Sequence, residues 1–158
     1  SFSLNVANTP ALMAFESLGL ESAEVSLELS GREIAGLGAG LRRGVTAYGR
    51  QALMLTRNCP LCNSPKGCLG CKAPGCLTDR KGKTFPITCR ERGKYGVELF
   101  NSVPIWLGDM QEELACDFAV LRFSVENSVE CGEIFRAFRG GISLNAAYTR
   151  GLFRRGVL

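Results

Sequence analysis

Apolar and polar positions along this chain switch between two periods, and each switch marks an element. Leu4 and Val6 alternate with polar neighbours as a short strand. Asn8 then offers a cap, Pro10 a first helical position, and Ala11 to Leu18 an apolar helical face that Gly19 ends. The cycle restarts. Ala23 to Leu29 alternates as a second strand, Ser30 and Glu33 form a capping box for a short helix, and Gly36, Gly38 and Gly40 break it. A third strand runs from near Arg43 through Val45 to Tyr48. Strand starts about twenty residues apart fit compact βα units.

The rhythm stops from about 57 to 82, where Cys, Gly, Pro and Lys dominate and no apolar period survives, so this insertion has no core of its own. It returns with strands at Thr84 to Thr88 and Val97 to Phe100, a helix expected over Ile105 to Leu114, a buried strand from Phe118 to Phe123, and a helix from Val129 to Phe138 ended by Gly140 and Gly141. The tail from Tyr148 to Gly156 reads as an extended segment. The pattern predicts an α/β fold, a partial (β/α) barrel of the TIM type with a cysteine-rich metal-binding insertion. Residues 1–56 supply βα units, 57–94 the Cys-rich basic insertion and hairpin, and 95–158 the remaining units and tail, as one domain cut from a longer chain.

Composition narrows the chemistry. The 158 residues carry a net charge of +4, from 19 Lys and Arg against 15 Asp and Glu, and contain no histidine. The commonest general base is therefore missing, and neither a Ser-His-Asp nor a Cys-His centre can lie wholly within these residues. No apolar run approaches the roughly 20 residues a membrane span requires, and no export signal is legible, so a cytoplasmic, non-membrane protein is expected.

Six of the eight cysteines fall between Cys59 and Cys89. Cys59 and Cys62, then Cys68 and Cys71, form successive C-x2-C pairs, a spacing that lets one turn aim two thiolates at a single ion. Cys76 and Cys89 are alternates. With no imidazole the site is all sulfur, which suits tetrahedral zinc and an iron-sulfur cluster equally. Cys116 and Cys131 stand apart and read as small buried hydrophobes.

Reading the expected C-terminal ends of the strands gathers Asn5, Asn8, Glu28, Tyr48, Arg50, Asn101, Ser102, Arg122, Glu126 and Asn127. Arg122, Glu126 and Glu28 are the candidate catalytic side chains. Arg122 interrupts an apolar strand, so it must pair with a carboxylate or face a polar cavity. Arg80, Lys81, Lys83, Arg90, Arg92 and Lys94, opposed only by Glu91, read as a solvated hairpin or as an RNA contact.

The stretch from Val45 through Tyr48, Gly49, Arg50 and Ala52 to Asn58, Cys59 and Pro60 resembles the core of the U32 peptidase signature. So do Leu77 to Gly82 with Phe85 and Pro86, Glu98 to Ser102, and Thr149, Arg150 and Gly151 with Arg154, Arg155, Gly156 and Val157. The resemblance to this collagenase-like peptidase family covers most of the chain from 43 onward. It implies a barrel protein whose relatives are linked to oxygen-independent hydroxylation of RNA bases or of a quinone precursor, using a [4Fe-4S] cluster. It also carries the family label of a metal-dependent peptidase. The motif's second cysteine falls on Cys59, but its first falls on Ala52. That departure, with the self-sufficient set Cys59, Cys62, Cys68 and Cys71, favours zinc. It leaves a non-catalytic zinc-stabilised module, contacting RNA or another domain, beside the enzymatic reading. The remainder of the parent chain is the expected partner, and open strand edges make the isolated piece a candidate homodimer.

Overall fold

The computed structural model describes residues 4–38, 40–63, 65, 67, 68, 70, 74–89 and 96–157. The chain is α/β. Its first sheet collects β1 (Ser22–Glu24), β2 (Arg42–Gly49), β7 (Ile105–Trp106) and β8 (Phe118–Leu121). β2 is the spine. It pairs in parallel with β1 through Ser22 opposite Arg42, and in parallel with β8 through Gly44 opposite Phe118. Beyond β1, Val6 bridges Val25 in parallel, so Val6, β1, β2 and β8 lie side by side in chain order and point the same way. β7 joins antiparallel at the end of β2, with Tyr48 opposite Trp106. Among the described residues these strands do not close into a barrel.

Helices follow the strands for local reasons. α1 (Thr9–Ser17) starts where Asn8 Oδ1 accepts the Ala11 N–H at 2.9 Å, with proline in its first turn. α2 (Gly31–Ala35) opens on the expected capping box, Ser30 accepting from Glu33 N–H while Glu33 accepts from Ser30 N–H. α3 (Ser128–Gly140) opens on a second box, Asn127 with Glu130, and ends at Gly141 in the left-handed conformation, φ 62°. One layer of the core packs Val25, Val45 and Ala47 of the sheet against Ile34, Leu107, Met110 and Phe153. A second packs Val6, Ala23 and Leu41 against Leu12, and a third joins Tyr48, Trp106, Ile134 and Ala137.

The second sheet is antiparallel, in the order β3 (Ala52–Thr56), β6 (Val97–Phe100), β5 (Thr84–Cys89), β4 (Gly75–Thr78). It contains two strands that the apolar pattern does not predict, β3 and β4. β3 lies at its edge, with Leu53, Met54 and Leu55 exposed.

Three expectations are corrected. Ile105 to Leu114 is not a helix: Ile105 and Trp106 form β7, and a 3-10 segment, Gly108–Glu113, follows with a break at Met110. The apolar residues at 107, 110 and 114 match helical spacing, but Thr149 and Ala47 take the backbone hydrogen bonds of Trp106 and Leu107, which holds this stretch extended. The strand expected over Ala23 to Leu29 ends at Glu24 with a bridge at Val25, because Leu27 and Glu28 turn. The tail, expected as an extended segment, instead turns over 151–155, with Phe153 N–H on Arg150 O and Gly156 N–H on Leu152 O, and it is tied down at its start. Thr149 bridges Ile105, and Arg150 grips Asp109 through both guanidinium Nη atoms while donating to Trp106 O at 2.8 Å.

Candidate functional site

The cysteine-rich segment is positioned by a short 3-10 turn, Pro60–Asn63, that follows β3. The turn brings three thiols together. Cys59 and Cys68 lie near enough to Cys62 to raise its thiol, and Cys62 N–H donates to Cys59 O at 3.0 Å. Partial burial pushes the Cys62 thiol up to about 11, helped by Cys68 and Cys59. The fourth residue of the expected set, Cys71, lies outside the described residues. Among the described residues, no group of three or more His, Cys, Asp or Glu side chains has the arrangement of a metal site. In donor type alone, the thiols of Cys59, Cys62 and Cys68 suit zinc or an iron-sulfur cluster, both of which bind thiolate sulfur.

Strand register separates the two alternates. Gly75 lies opposite Ile87 and Cys89 opposite Val97, and side chains alternate along a strand, so Gly75, Ile87, Cys89 and Val97 share one face while Cys76 points to the other. A Cβ at Gly75 would lie 2.2 Å from Leu61 Cδ1, which places Leu61, and with it the Cys59–Cys62 turn, over the face that carries Cys89. Cys89 is therefore the alternate that the fold puts on the knuckle's side. The apolar pattern could not reveal this, because β4 lies in a segment without one.

The strand-end residues form two clusters. Arg122 pairs with Glu24, not with a sequence-predicted partner: its Nε donates to Glu24 Oε1 at 3.0 Å and its Nη2 to Oε2, while Thr46 Oγ1 donates to Oε1 as well. Glu24 is only 5% exposed. Sequence reasoning missed it because Ala23-Glu24-Val25 reads as a strand with its polar residue facing water. The available signal was Arg122, whose place in an apolar strand demanded a carboxylate.

The second cluster centres on Glu126, whose side chain is 6% exposed. Tyr48 O–H donates to Oε1 at 2.7 Å, the N–H groups of Ser124 and Val125 donate to Oε2, and Arg50 Nε lies 3.8 Å away. Burial pushes the Glu126 carboxyl up, but the donors, led by Ser124 N–H and Tyr48 O–H, together hold it below its ordinary value. Burial, then the Glu126 hydrogen bond, push the Tyr48 phenol well above its usual range. Arg50 Nη1 donates to Asn101 O at 3.0 Å and Ser102 O at 2.6 Å, so one guanidinium joins the ends of β2 and β6. Glu28, by contrast, stands exposed on its turn, with its N–H on Ser26 Oγ.

Arg80, Lys81 and Lys83 are exposed on the turn between β4 and β5, which Asp79 organises by accepting the N–H groups of Lys81 and Lys83, each at 2.8 Å. Arg90, Arg92 and Lys94 lie outside the described residues. Cys116 packs against the core and Cys131 is half-buried. Burial, then the charge of Asp117, raise the Cys116 thiol. Among the described residues no helix is long and apolar enough to cross a membrane. Comparison of the chain with protein-family models, with curated proteins and with solved structures finds no match.

Proposed function

We propose that this chain is a metal-stapled segment of a U32-type protein: an open arc of a (β/α) barrel whose cysteine-rich crossover holds one zinc ion through Cys59, Cys62, Cys68 and Cys71. The observation that carries the reading is the meeting of Cys59, Cys62 and Cys68 at the Pro60–Asn63 turn. Cys89, on the same sheet face as Leu61, is the alternate fourth ligand. Four thiolates close a tetrahedral zinc site and leave no open position, which makes the role structural. Zinc bound there supplies folding free energy to a segment that lacks an apolar core. The parallel run of Val6, β1, β2 and β8 supports the barrel part of the reading.

In this account the chain's own residues do three things. The Pro60–Asn63 turn presents Cys59 and Cys62, Leu61 seats that turn on the second sheet, and Arg50 fastens that sheet to the end of β2. The exposed Arg80, Lys81 and Lys83 then stand on the adjoining hairpin, available to the phosphates of RNA. Hydrogen exchange with and without a chelator tests the staple. Removing the metal is expected to deprotect 52–100 while β1, β2 and β8 stay protected; unchanged protection of 52–100 would overturn it.

A second, enzymatic reading draws on the polar groups collected at the strand ends. Glu24, Arg122, Tyr48 and Glu126 would serve a parent protein that hydroxylates RNA bases or a quinone precursor without oxygen, with an iron-sulfur cluster on the same thiols. The departure at Ala52 weighs against it for this chain.

A further inference from the structure

Beside the Glu126 cluster the fold leaves a cleft of about 650 Å³, open to solvent and independent of the cysteines. It lies beyond the C-terminal ends of β2 and β8, where parallel α/β sheets place their ligands because the strand-to-helix turns diverge there. Its volume falls in the range of small-molecule pockets, about 300 to 1,000 Å³.

The lining sorts by chemistry. Ile134 and Ala137 are buried and form an apolar wall, which Leu144 and Ile142 extend. At the polar end stand Tyr48, Arg50 and Glu126, with Glu130 and Glu133 of α3 exposed on the rim. Three carboxylates thus face one guanidinium. That guanidinium is partly committed: Nη1 serves the carbonyls of Asn101 and Ser102, and Nε is buried, without a hydrogen-bond partner, facing Glu126. The Tyr48 hydroxyl is equally spent on Glu126. A ligand anion would therefore meet the negative rim charges of Glu130, which also caps Asn127 N–H, and Glu133, against a guanidinium already shared with Glu126, Asn101 and Ser102. A ligand cation would meet a favourable field, and its apolar body would find Ile134 and Ala137.

We propose that this cleft is a binding site for a small organic cation with an apolar body, its ammonium or guanidinium held among Glu126, Glu130 and Glu133 and its body against Ile134, Ala137 and Leu144. Nothing in the metal reading requires this site, so the two stand or fall separately.

The probe is 2-phenylethylammonium, titrated into the full chain by calorimetry or ligand-observed NMR, with 3-phenylpropionate as the partner of like shape and opposite charge. Saturable binding of the amine is expected, at least tenfold tighter than the carboxylate. Glu133→Gln, on the exposed face of α3, is expected to weaken the amine about threefold, the worth of one exposed charge. Ala146→Trp, which fills the cleft from an exposed lining position, is expected to abolish binding with the circular dichroism unchanged. The proposal is overturned if the carboxylate binds as tightly as the amine, if neither saturates, or if Glu133→Gln leaves the amine's affinity untouched. The Glu133 result decides the matter even where Ala146→Trp perturbs its loop.

Discussion

Arg122 and Glu24, 98 residues apart, meet across the width of β2, with Arg122 Nε 3.0 Å from Glu24 Oε1 and Thr46 of β2 donating between them. The contact ties the first full parallel strand to the last. Its two members are not equally placed: the side chain of Glu24 is 5% exposed and that of Arg122 33%. Losing Arg122 removes this guanidinium from a buried carboxylate, whereas losing Glu24 leaves a cation that can turn toward water. Arg122→Met is accordingly expected to cost about 3 kcal/mol and Glu24→Gln about half of that. Urea denaturation of both variants checks the order; equal costs would contradict the argument.

Asp109 is held by Arg150. The Arg150 hydrogen bond is the main reason its carboxyl sits well below the ordinary value near 3.8, with burial opposing and Ser143 Oγ, at 2.5 Å, assisting. A carboxyl whose folded value is depressed contributes stability above its unfolded value and loses it as pH falls from there toward the folded value. Asp109→Asn is expected to destabilise by about 2 kcal/mol at pH 7. That gap should narrow steadily below pH ~4, where the unfolded carboxyl takes up its proton. Paired denaturation curves at pH 7 and pH 3 measure it.

Gly44 lies opposite Phe118, and a Cβ there would come within 2.2 Å of the ring. Phe118 is an aromatic body hemmed in by β2 and by Arg42, whose guanidinium stacks 5.8 Å from the ring centroid. Gly44→Ala is therefore expected to destabilise by about 1–3 kcal/mol, the cost of overpacking. A thermal melt checks it, with Gly19→Ala as a contrast, since no atom lies within 4 Å of that Cβ and only its φ of 83° opposes substitution.

The edge strand β3 exposes Leu53, Met54 and Leu55, the last at 68%. An apolar edge without proline or charge is a template for another strand. The isolated chain is expected to self-associate through it, and Leu55→Lys to shift it toward monomer. Light scattering at several concentrations reads this; a monodisperse monomer before substitution would contradict it.

What could be read before the structure follows from where the information sits. The caps at Asn8 and Ser30 and the stop at Gly141 are local, so all were legible, whereas Asn127, read as a strand-end residue, is the cap of α3. The parallel order of the first three strands followed from their spacing near 3, 23 and 43. Ile105–Leu114 misled because its apolar spacing fits a helix, while the partners that hold it extended, Ala47 and Thr149, come from distant parts of the chain. Glu24 was hidden for the same reason: its partner is 98 residues away. The position of Cys89 on the knuckle's side depended on a register that no local pattern encodes.

The metal reading is tested most directly by metal and acid-labile sulfide analysis of anaerobically purified protein, beside the same analysis of Cys62→Ser. The account predicts one zinc per chain, no sulfide, and loss of the zinc in the variant. About four irons with matching sulfide would contradict the structural role and put the enzymatic reading first; no metal at all would contradict both.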